Sequence, residues 1–353
     1  MGLKHIIGGI LTYVPKVDKL MAGRTGGTNS ARYCYCIWLR HLVMAQSALG
    51  GACTWPKVIA EFGPGDSLGI GLAALLSGAE KYYALDVVEY ADTSVNLDIL
   101  EELTALFAKK EPIPDQQEFP LARPLLPSYE FPHKILTEDR LQQCLTSERI
   151  RSIKEALINV CVPLPPQGQA CPRESGDASS LVPRAMMDDR RWTMDGMEIH
   201  YVVPWYDSDV IKQESVDKIF SQAVLEHVDN LAQTYATLYR WLKRDGFMSH
   251  QIDFGCHSLA KKWNGHWAYS DFTWKLIKGK RFYLLNREPY STHKRLLEQT
   301  GFTIVCEVKT SDHSGLAKEQ LSSRFRQMSE EDLTTRTVHI LARKNPTCNV
   351  NPT

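Results

Sequence analysis

The chain has 353 residues, of which 43% are hydrophobic and 23% are charged, a composition typical of a folded globular protein rather than a disordered one. Its 41 basic residues balance its 41 acidic residues, so no net charge would recruit a nucleic acid. Nine cysteines are scattered through the chain without the spacing of a zinc site, as in a reducing, cytoplasmic compartment. No apolar run reaches the roughly 18 residues that indicate a transmembrane segment.

The first 54 residues are predicted to be mostly helical, and "ARYCYCIWLRHLVMAQSAL", residues 31–49, is the best helical segment. The apolar run "IIGGILTYV", residues 6–14, is too short to cross a bilayer and is followed by no obvious cleavage site. It leaves weak contact with a membrane surface as an open alternative.

Strand and helix patterns alternate from Lys57 to about Phe107 and again from about Met197 to Lys344. Between them lie an irregular stretch with six prolines from Pro112 to Pro132, a polar helical stretch, and a second segment rich in Gly, Pro and Ser. The chain is thus divided into an N-terminal helical segment (1–54), the first half of an α/β domain (55–107), an inserted helical and irregular cap (108–195), the second half of that domain (196–345) and a tail (346–353).

The second half contains further predicted elements. Asp229 is expected to cap a helix that ends at Asp245–Gly246, and Ser291 is expected to cap another. The predicted strands are "MEIHYVVPW", "VDKIFSQAV", "FMSHQID", and an antiparallel pair made by "TIVCEVKT" and "TVHILARK". Alternating strands and helices predict an α/β fold: a Rossmann-like, doubly wound, mostly parallel seven-stranded sheet covered on both faces.

A glycine loop follows the first predicted strand, in "VIAEFGPGDSLGIGL". Gly63 and Gly65 can adopt backbone conformations closed to other residues and let a ligand approach the main chain closely. Asp86 ends the next strand about twenty residues later, where an acid suits the two hydroxyls of a ribose. Leu68 stands where a nicotinamide fingerprint needs its third glycine, which disfavours an NAD-dependent oxidoreductase.

The segment "EFGPGDS", residues 61–67, resembles the first motif of class I S-adenosylmethionine-dependent methyltransferases, with Ser67 in place of the third glycine. "KIFSQAVLEHV", residues 218–228, resembles the fourth-strand motif of the subgroup typified by quinone-biosynthesis methyltransferases. The resemblance covers roughly residues 57–86 and 197–344. It implies S-adenosyl-L-methionine as the cofactor.

The same resemblance implies roles for individual residues. Asp86 would bind the ribose, Asp207 or Asp209 the adenine amino group, and Gln222 with Ala223 would flank the sulfonium. The implied cofactor-binding residues are Glu61, Gly63, Pro64, Gly65, Ser67, Asp86, Val87, Asp207, Gln222 and Ala223.

Transfer to a hydroxyl also needs a group that takes up the proton. The candidate catalytic residues are His227, from "LEHV" next to the weaker candidate Glu226, and His250, Asp253 and His257, from "SHQIDFGCHS" at the end of a predicted strand. Asp253 and His257 could form a base with its orienting partner, or part of a divalent-metal site. Each candidate also has a purely structural interpretation.

Five aromatic residues follow, and they either stack on a flat acceptor or pack in the core: Trp263, Trp267, Tyr269, Phe272 and Trp274. The sequence predicts methyl transfer to a small-molecule acceptor, at a hydroxyl of a sugar, a lipid-linked glycan or a natural-product ring. The alternatives are a non-catalytic binding module on the same fold and an N- or C-methyltransferase.

Overall fold

The computed structural model describes residues 2–14, 27–50, 55–88, 91, 93–160, 188–194, 197–281 and 283–345. The predicted tail, 346–353, and the stretch rich in Gly, Pro and Ser within the predicted cap, 161–187, lie outside these residues.

The described parts of the chain form one sheet flanked by helices. The strands are β1 (Val58–Phe62), β2 (Lys81–Leu85), β3 (Asp188–Met194), β4 (Met197–Val203), β5 (Val216–Gln222), β6 (Leu242–Asp253), β7 (Phe302–Ser311) and β8 (Thr335–Lys344). The helices are α1 (Gly2–Leu11), α2 (Ala31–Leu49), α3 (Gly69–Leu76), α4 (Thr93–Lys109), α5 (Glu138–Cys144), α6 (Ser147–Val160), α7 (Leu231–Trp241), α8 (Asp271–Lys278), α9 (Tyr290–Thr300) and α10 (Glu330–Thr334).

The strand order across the sheet is β3-β4-β2-β1-β5-β6-β8-β7. Strands β4, β2, β1, β5 and β6 pair in parallel, and β8 runs antiparallel between β6 and β7. The predicted seven-stranded, mostly parallel sheet is confirmed, and β3 adds an eighth, antiparallel strand at the β4 edge. Chain order reverses between β1 and β5, so ligands are expected beyond the carboxyl ends of these two strands.

The central strands are buried on both faces, as expected for a parallel sheet covered by helices. One core lies under α2, α3 and α4 and extends into the insertion, and the other lies under α7 and α9. The predicted helix over residues 31–49 is confirmed as α2. Trp38 of α2 is fully buried and donates its indole N–H to Ser77 Oγ at 2.8 Å, which ties this N-terminal helix to the end of α3.

Three predicted boundaries are wrong. Helix α7 is capped by Asn230, whose side chain accepts from the Gln233 N–H at 3.2 Å, while Asp229 pairs instead with Lys278. The helix ends at Trp241 because the next residue already belongs to β6, so the predicted stop at Asp245–Gly246 lies inside that strand. Helix α9 begins at Tyr290 after Pro289, not after Ser291.

Helix α1 packs against α8 through Gly9, where an added Cβ would meet the Leu276 carbonyl oxygen at 1.9 Å. Ile7, Ile10 and Leu11 stay about half exposed on the outer side of α1. No helix in the part of the chain that the structure describes has both the length and the hydropathy needed to span a bilayer.

Arg40 of α2 fastens the insertion to the body of the protein. Its guanidinium is fully buried and donates to three backbone carbonyls of the insertion, those of Pro114, Ala122 and Pro124, at 2.8, 2.8 and 2.9 Å. The ring of Tyr129 lies 5.1 Å from the guanidinium carbon. A planar donor with fixed geometry is suited to binding several carbonyls that belong to no helix or strand.

Replacing Arg40 by Ala should lower the free energy of unfolding by at least about 3 kcal/mol, because three buried carbonyls would lose their donor. Arg40→Lys should recover only part of this loss, since the ammonium group of lysine cannot reproduce the planar arrangement of donors in the guanidinium. Urea unfolding measures the change, and amide exchange across residues 112–126 locates it. Equal free energies of unfolding for the wild type and Arg40→Ala would contradict a stabilising role of Arg40 for the insertion.

Candidate functional site

The glycine loop lies at the reversal point of the sheet. Gly63 and Gly65 have φ values of +64° and +76°, in the left-handed region that favours glycine. The Gly63 N–H donates to the Leu85 carbonyl at 2.8 Å, which holds the loop against the end of β2. A Cβ at Gly63 would lie 2.6 Å from Val224 Cγ2, so the segment after β5 touches the loop backbone directly.

The far side of the loop is held by Thr28, which precedes α2. Its hydroxyl accepts from the Asp66 N–H at 2.9 Å, and its carbonyl accepts from the Ser67 hydroxyl. Ser67 Oγ in turn accepts from the Gly69 N–H at 3.0 Å in the first turn of α3. Sequence reasoning missed Thr28, because nothing local marks a threonine 38 residues upstream as a partner of the loop.

Glu61 is positioned behind the loop. It is 1% exposed, its Oε2 accepts from the Tyr82 hydroxyl at 2.6 Å, and it also bonds to the backbone of Gly71 in α3. Burial raises the pKa of Glu61 to about 8 despite the opposing effect of the Tyr82 bond. The carboxyl group thus joins β1, β2 and α3, and we expect it to position the loop rather than to contact the cofactor.

Asp86 follows β2 and is 6% exposed. Its Oδ1 accepts from the Val87 N–H at 2.7 Å, and the carboxylate also bonds to the backbone of Gly65. Burial raises the pKa of Asp86 to about 6, and these backbone bonds oppose that rise. The structure therefore brings together the glycine loop and the acid that the sequence paired with it.

The two acids considered for the adenine lie after β4. Asp207 is exposed and caps a short 3₁₀ turn, Ser208–Val210, by accepting from the Asp209 N–H at 2.8 Å. Asp209 forms an ion pair with Arg240 at 2.6 Å. Both carboxylates thus have local structural partners.

Gln222 ends β5 and is held from two sides. Its Oε1 lies 3.2 Å from Nε2 of His41, a buried histidine of α2, and its Nε2 donates to the Arg123 carbonyl of the insertion at 3.3 Å. Ala223 follows with φ of +55°. Sequence reasoning missed His41, which reaches the site only because α2 packs across the sheet.

A second group of polar side chains lies where β5 and β6 end, and we call Glu226, His227, Asp253 and His257 the β5–β6 cluster. One potential ligand atom from each of Glu226, His227 and His257 lies within 4.8 Å of the others. His257 Nε2 is 3.6 Å from Asp253 Oδ2. The predicted Asp253–His257 pair is thus brought together with both residues of the Glu-His motif.

Residues 192–249, which span β4, β5, α7 and most of β6, match the family model described as "Methyltransferase domain". The match shows that this segment is similar to a methyltransferase domain. The sheet order, the left-handed glycine loop and Asp86 beside it agree with the resemblance to class I S-adenosylmethionine-dependent methyltransferases.

Several solved structures resemble this chain distantly. An S-adenosylmethionine-dependent methyltransferase from Mesorhizobium loti is 13% identical, with a TM-score of 0.36 over 86% of this chain and 98% of its own. A putative methyltransferase from Bacillus halodurans is 11% identical, with a TM-score of 0.39 over 87% and 98%. Phosphoethanolamine N-methyltransferase 2 of Haemonchus contortus, in complex with S-adenosyl-L-methionine, is 11% identical, with a TM-score of 0.38 over 90% and 57%. No curated protein matches the sequence significantly.

Within the β5–β6 cluster, the surroundings disfavour the charged form of two groups and favour the charged form of a third. Burial lowers the pKa of His227 to about 4, assisted by His257. Burial also raises the pKa of Glu226 well above its ordinary value, assisted by the negative charge of Asp253. Burial opposes the ionisation of Asp253 too, but contact with His257 and the charge of Arg336 outweigh it and lower that pKa.

His250, the remaining catalytic candidate, is 1% exposed inside β6. Its Nδ1 lies 2.8 Å from Ser221 Oγ on the neighbouring strand, and burial lowers its pKa to about 3. This environment is that of a neutral core histidine, so we leave His250 out of the proposed chemistry.

The aromatic residues after β6 mostly pack in the core of the protein. Trp263, Trp267 and Trp274 are at most 7% exposed, and Tyr269 is partly buried, whereas Phe272 is 72% exposed. The Trp267 indole N–H donates to the Arg287 carbonyl at 3.0 Å. The structural interpretation therefore holds for the three tryptophans, and stacking on an acceptor is not expected from them.

The raised pKa of Glu61 predicts a pH-dependent stability in the cofactor-free protein. Between about pH 5 and pH 8 the unfolded state releases the Glu61 proton while the folded state keeps it, so rising pH favours unfolding at this position. Glu61→Gln cannot titrate. The free energy of unfolding of the wild type minus that of Glu61→Gln should therefore fall steadily from pH 5 to pH 8.

Urea unfolding at three pH values measures this difference, and Glu102→Gln on the exposed side of α4 is the matched control. A constant difference between the wild type and Glu61→Gln across the range would show that Glu61 is ionised in the folded protein.

Proposed function

We propose that this methyltransferase transfers the methyl group of S-adenosyl-L-methionine to a hydroxyl of a small-molecule acceptor bound beyond the carboxyl ends of β5 and β6. The observation that carries the proposal is the β5–β6 cluster, which begins two residues after the Val224 contact with Gly63. It supplies proton-accepting and oxygen-binding groups beside the expected place of the sulfonium.

The residues around the glycine loop fit the cofactor. Gly63 and Gly65 leave their backbone open to close approach, and Asp86 offers a largely buried carboxylate to the ribose hydroxyls. We propose that Gln222 and Ala223 flank the sulfonium, with Gln222 oriented by His41. When bound, the cofactor supplies an electrophilic methyl group and a good leaving group.

The reaction requires alignment and removal of one proton. The acceptor oxygen forms a bond to the methyl carbon, the carbon–sulfur bond breaks with its electron pair going to sulfur, and the hydroxyl proton leaves to a base at the site or to water. Alignment of the reacting atoms contributes up to about 7–11 kcal/mol in ideal cases. Help with the proton contributes about 10²–10⁴-fold, and the β5–β6 cluster is positioned to give it.

A small acceptor is favoured over a macromolecule. The insertion reaches the end of β5 through the Arg123 carbonyl, and Phe119 packs edge-on against Tyr33 of α2 with ring centroids 5.4 Å apart. We propose that the described part of the predicted cap, residues 108–160, encloses the acceptor from this side. The equal numbers of basic and acidic residues also leave the chain without a net positive charge that would attract a nucleic acid.

Cofactor binding should depend on the ionisation of Asp86. With its pKa near 6, the dissociation constant for S-adenosyl-L-methionine should rise as pH falls below about 6, by up to roughly tenfold per pH unit, because the protonated acid binds the ribose hydroxyls less well. Asp86→Asn should weaken binding at pH 8 by about 1–3 kcal/mol and remove this pH dependence. Calorimetric titrations from pH 5 to pH 8 test this, with Asp98→Asn on α4 as control.

Acceptor chemistry is tested by incubating the protein with isotopically labelled cofactor and panels of sugars, nucleotide sugars, phenols and matched amines. Product formation with hydroxyl-bearing compounds is expected, and mass spectrometry identifies the methylated atom. Turnover with the amines alone would overturn the hydroxyl proposal while leaving the methyltransferase assignment intact.

His257→Ala should lower kcat by about 10²–10⁴-fold while the dissociation constant for the cofactor stays unchanged, since His257 belongs to the acceptor side. His313→Ala, an exposed histidine after β7, is the matched control and should behave like the wild type. Normal turnover in His257→Ala would remove this residue from the reaction.

A further inference from the structure

We infer that Glu226, His227 and His257 form a binding site for a divalent first-row transition-metal ion. One carboxylate oxygen and one ring nitrogen from each histidine lie within 4.8 Å of one another. Ligands of a tetrahedral zinc ion, bound at about 2.0–2.2 Å, lie roughly 3.4 Å apart. A closure of up to about 1.4 Å, available to the exposed His257 on its loop, would bring the three atoms to bonding distance.

His227 has the protonation pattern of a metal ligand. Its Nδ1 is buried and has no hydrogen-bond partner, while the ring bonds to the backbone of Tyr283. Because Nδ1 is unpartnered, that bond uses Nε2, which fixes the proton on Nε2 and leaves a lone pair on Nδ1. Metal-bound histidines usually donate their other N–H to a carbonyl or a carboxylate in this way.

Glu226 has one oxygen occupied and one available. Its Oε1 accepts from the Asp253 N–H at 3.3 Å, whereas Oε2 is buried without a hydrogen-bond partner. No ion pair among the described residues includes Glu226. A buried carboxylate is costly unless a positive charge compensates it, and a divalent cation would supply that charge.

The third ligand is supported from outside by Asp253. The Asp253 carboxylate faces His257 Nε2 at 3.6 Å, which leaves Nδ1 of this ring for the metal. Asp253 Oδ1 is already engaged by the Gly255 N–H at 2.7 Å and by Arg336 at 3.4 Å. Of the two ligands expected from the sequence, His257 is therefore retained, and Asp253 becomes an outer partner that orients it.

The turn that carries Glu226 and His227 is held in place before any metal binds. The backbone N–H of Asn286 donates to the Glu226 carbonyl at 2.7 Å, and the side-chain amide of Asn286 donates to the Leu225 and Val228 carbonyls, both at 2.8 Å. Such support from a neighbouring segment is what keeps ligands in a defined geometry. Sequence reasoning did not single out Asn286.

The donor set selects the class of metal. Two imidazoles and one carboxylate suit Zn²⁺ and its first-row neighbours, whereas Mg²⁺ and Ca²⁺ prefer all-oxygen sites. Three protein ligands leave a position open, and an acceptor hydroxyl bound there would lose its proton more easily. This use of the ion rests on the proposed function, but binding of the ion does not.

The test uses untagged, full-length protein stripped with a chelator and titrated with Co²⁺ and Zn²⁺ alone. One equivalent of Co²⁺ should bind and give the visible bands of a four- or five-coordinate ion without a thiolate charge-transfer band, and Zn²⁺ should displace it. His257→Ala and Glu226→Gln should abolish the bands. Asp253→Asn should weaken binding by about 10–100-fold, as for an outer partner, and His313→Ala should have no effect.

The failures of the two proposals are distinguishable. Absence of Co²⁺ binding, or unchanged binding in both ligand variants, would overturn the metal site even if the stripped protein methylates hydroxyls. Tight one-to-one binding that is lost in the variants would support the metal site even if the acceptor panel contains no substrate.

Discussion

The close approach of Val224 to Gly63 organises the rest of the site. It brings the segment after β5 against the glycine loop after β1, at the place where the chain order of the parallel strands reverses between β1 and β5. Only a residue without a Cβ fits there, and its φ of +64° is also one that glycine tolerates best. The glycine loop and the β5–β6 cluster are therefore neighbours because the segments that follow β1 and β5 touch.

Buried carboxyl groups are arranged around this contact with different tasks. Glu61 is neutralised by burial and joins three elements behind the loop, while Asp86 keeps an ionisable group within reach of the cleft. Glu226 is buried with an unpartnered oxygen next to two histidines. Environment, rather than residue type, separates a structural acid from a ligand-binding one.

The parts of the structure that depend on local pattern could be predicted from the sequence. Helix α2 has the predicted ends, and the strands that carry the glycine loop and the "LEHV" turn are where apolar runs placed them. Local rules failed where two adjacent residues could both cap the same helix. Asp229 and Asn230 are such a pair, and Asn230 caps α7 because Asp229 forms an ion pair with Lys278. The local sequence cannot show which of two candidate capping residues has a partner elsewhere in the chain.

The candidate site could be predicted only where it depends on local pattern. Gly63, Gly65 and Asp86 follow strands directly, so their convergence follows from the topology. Thr28, His41 and Asn286 act across 38 to more than 180 residues of chain, and no spacing rule connects them to the loop, to Gln222 or to Glu226. Their contribution became visible only with the packing of α2 and of the segment after α8.

The position of α2 bears on where this enzyme can be cut. By sequence, the catalytic domain begins near residue 55, yet α2 buries Trp38 against Ser77, positions Gln222 through His41 and fastens the insertion through Arg40. A fragment that begins near residue 55 would lose the contact of Trp38 with Ser77 and the contact of His41 with Gln222. Such a fragment would therefore lack a helix that packs into the core of the described structure.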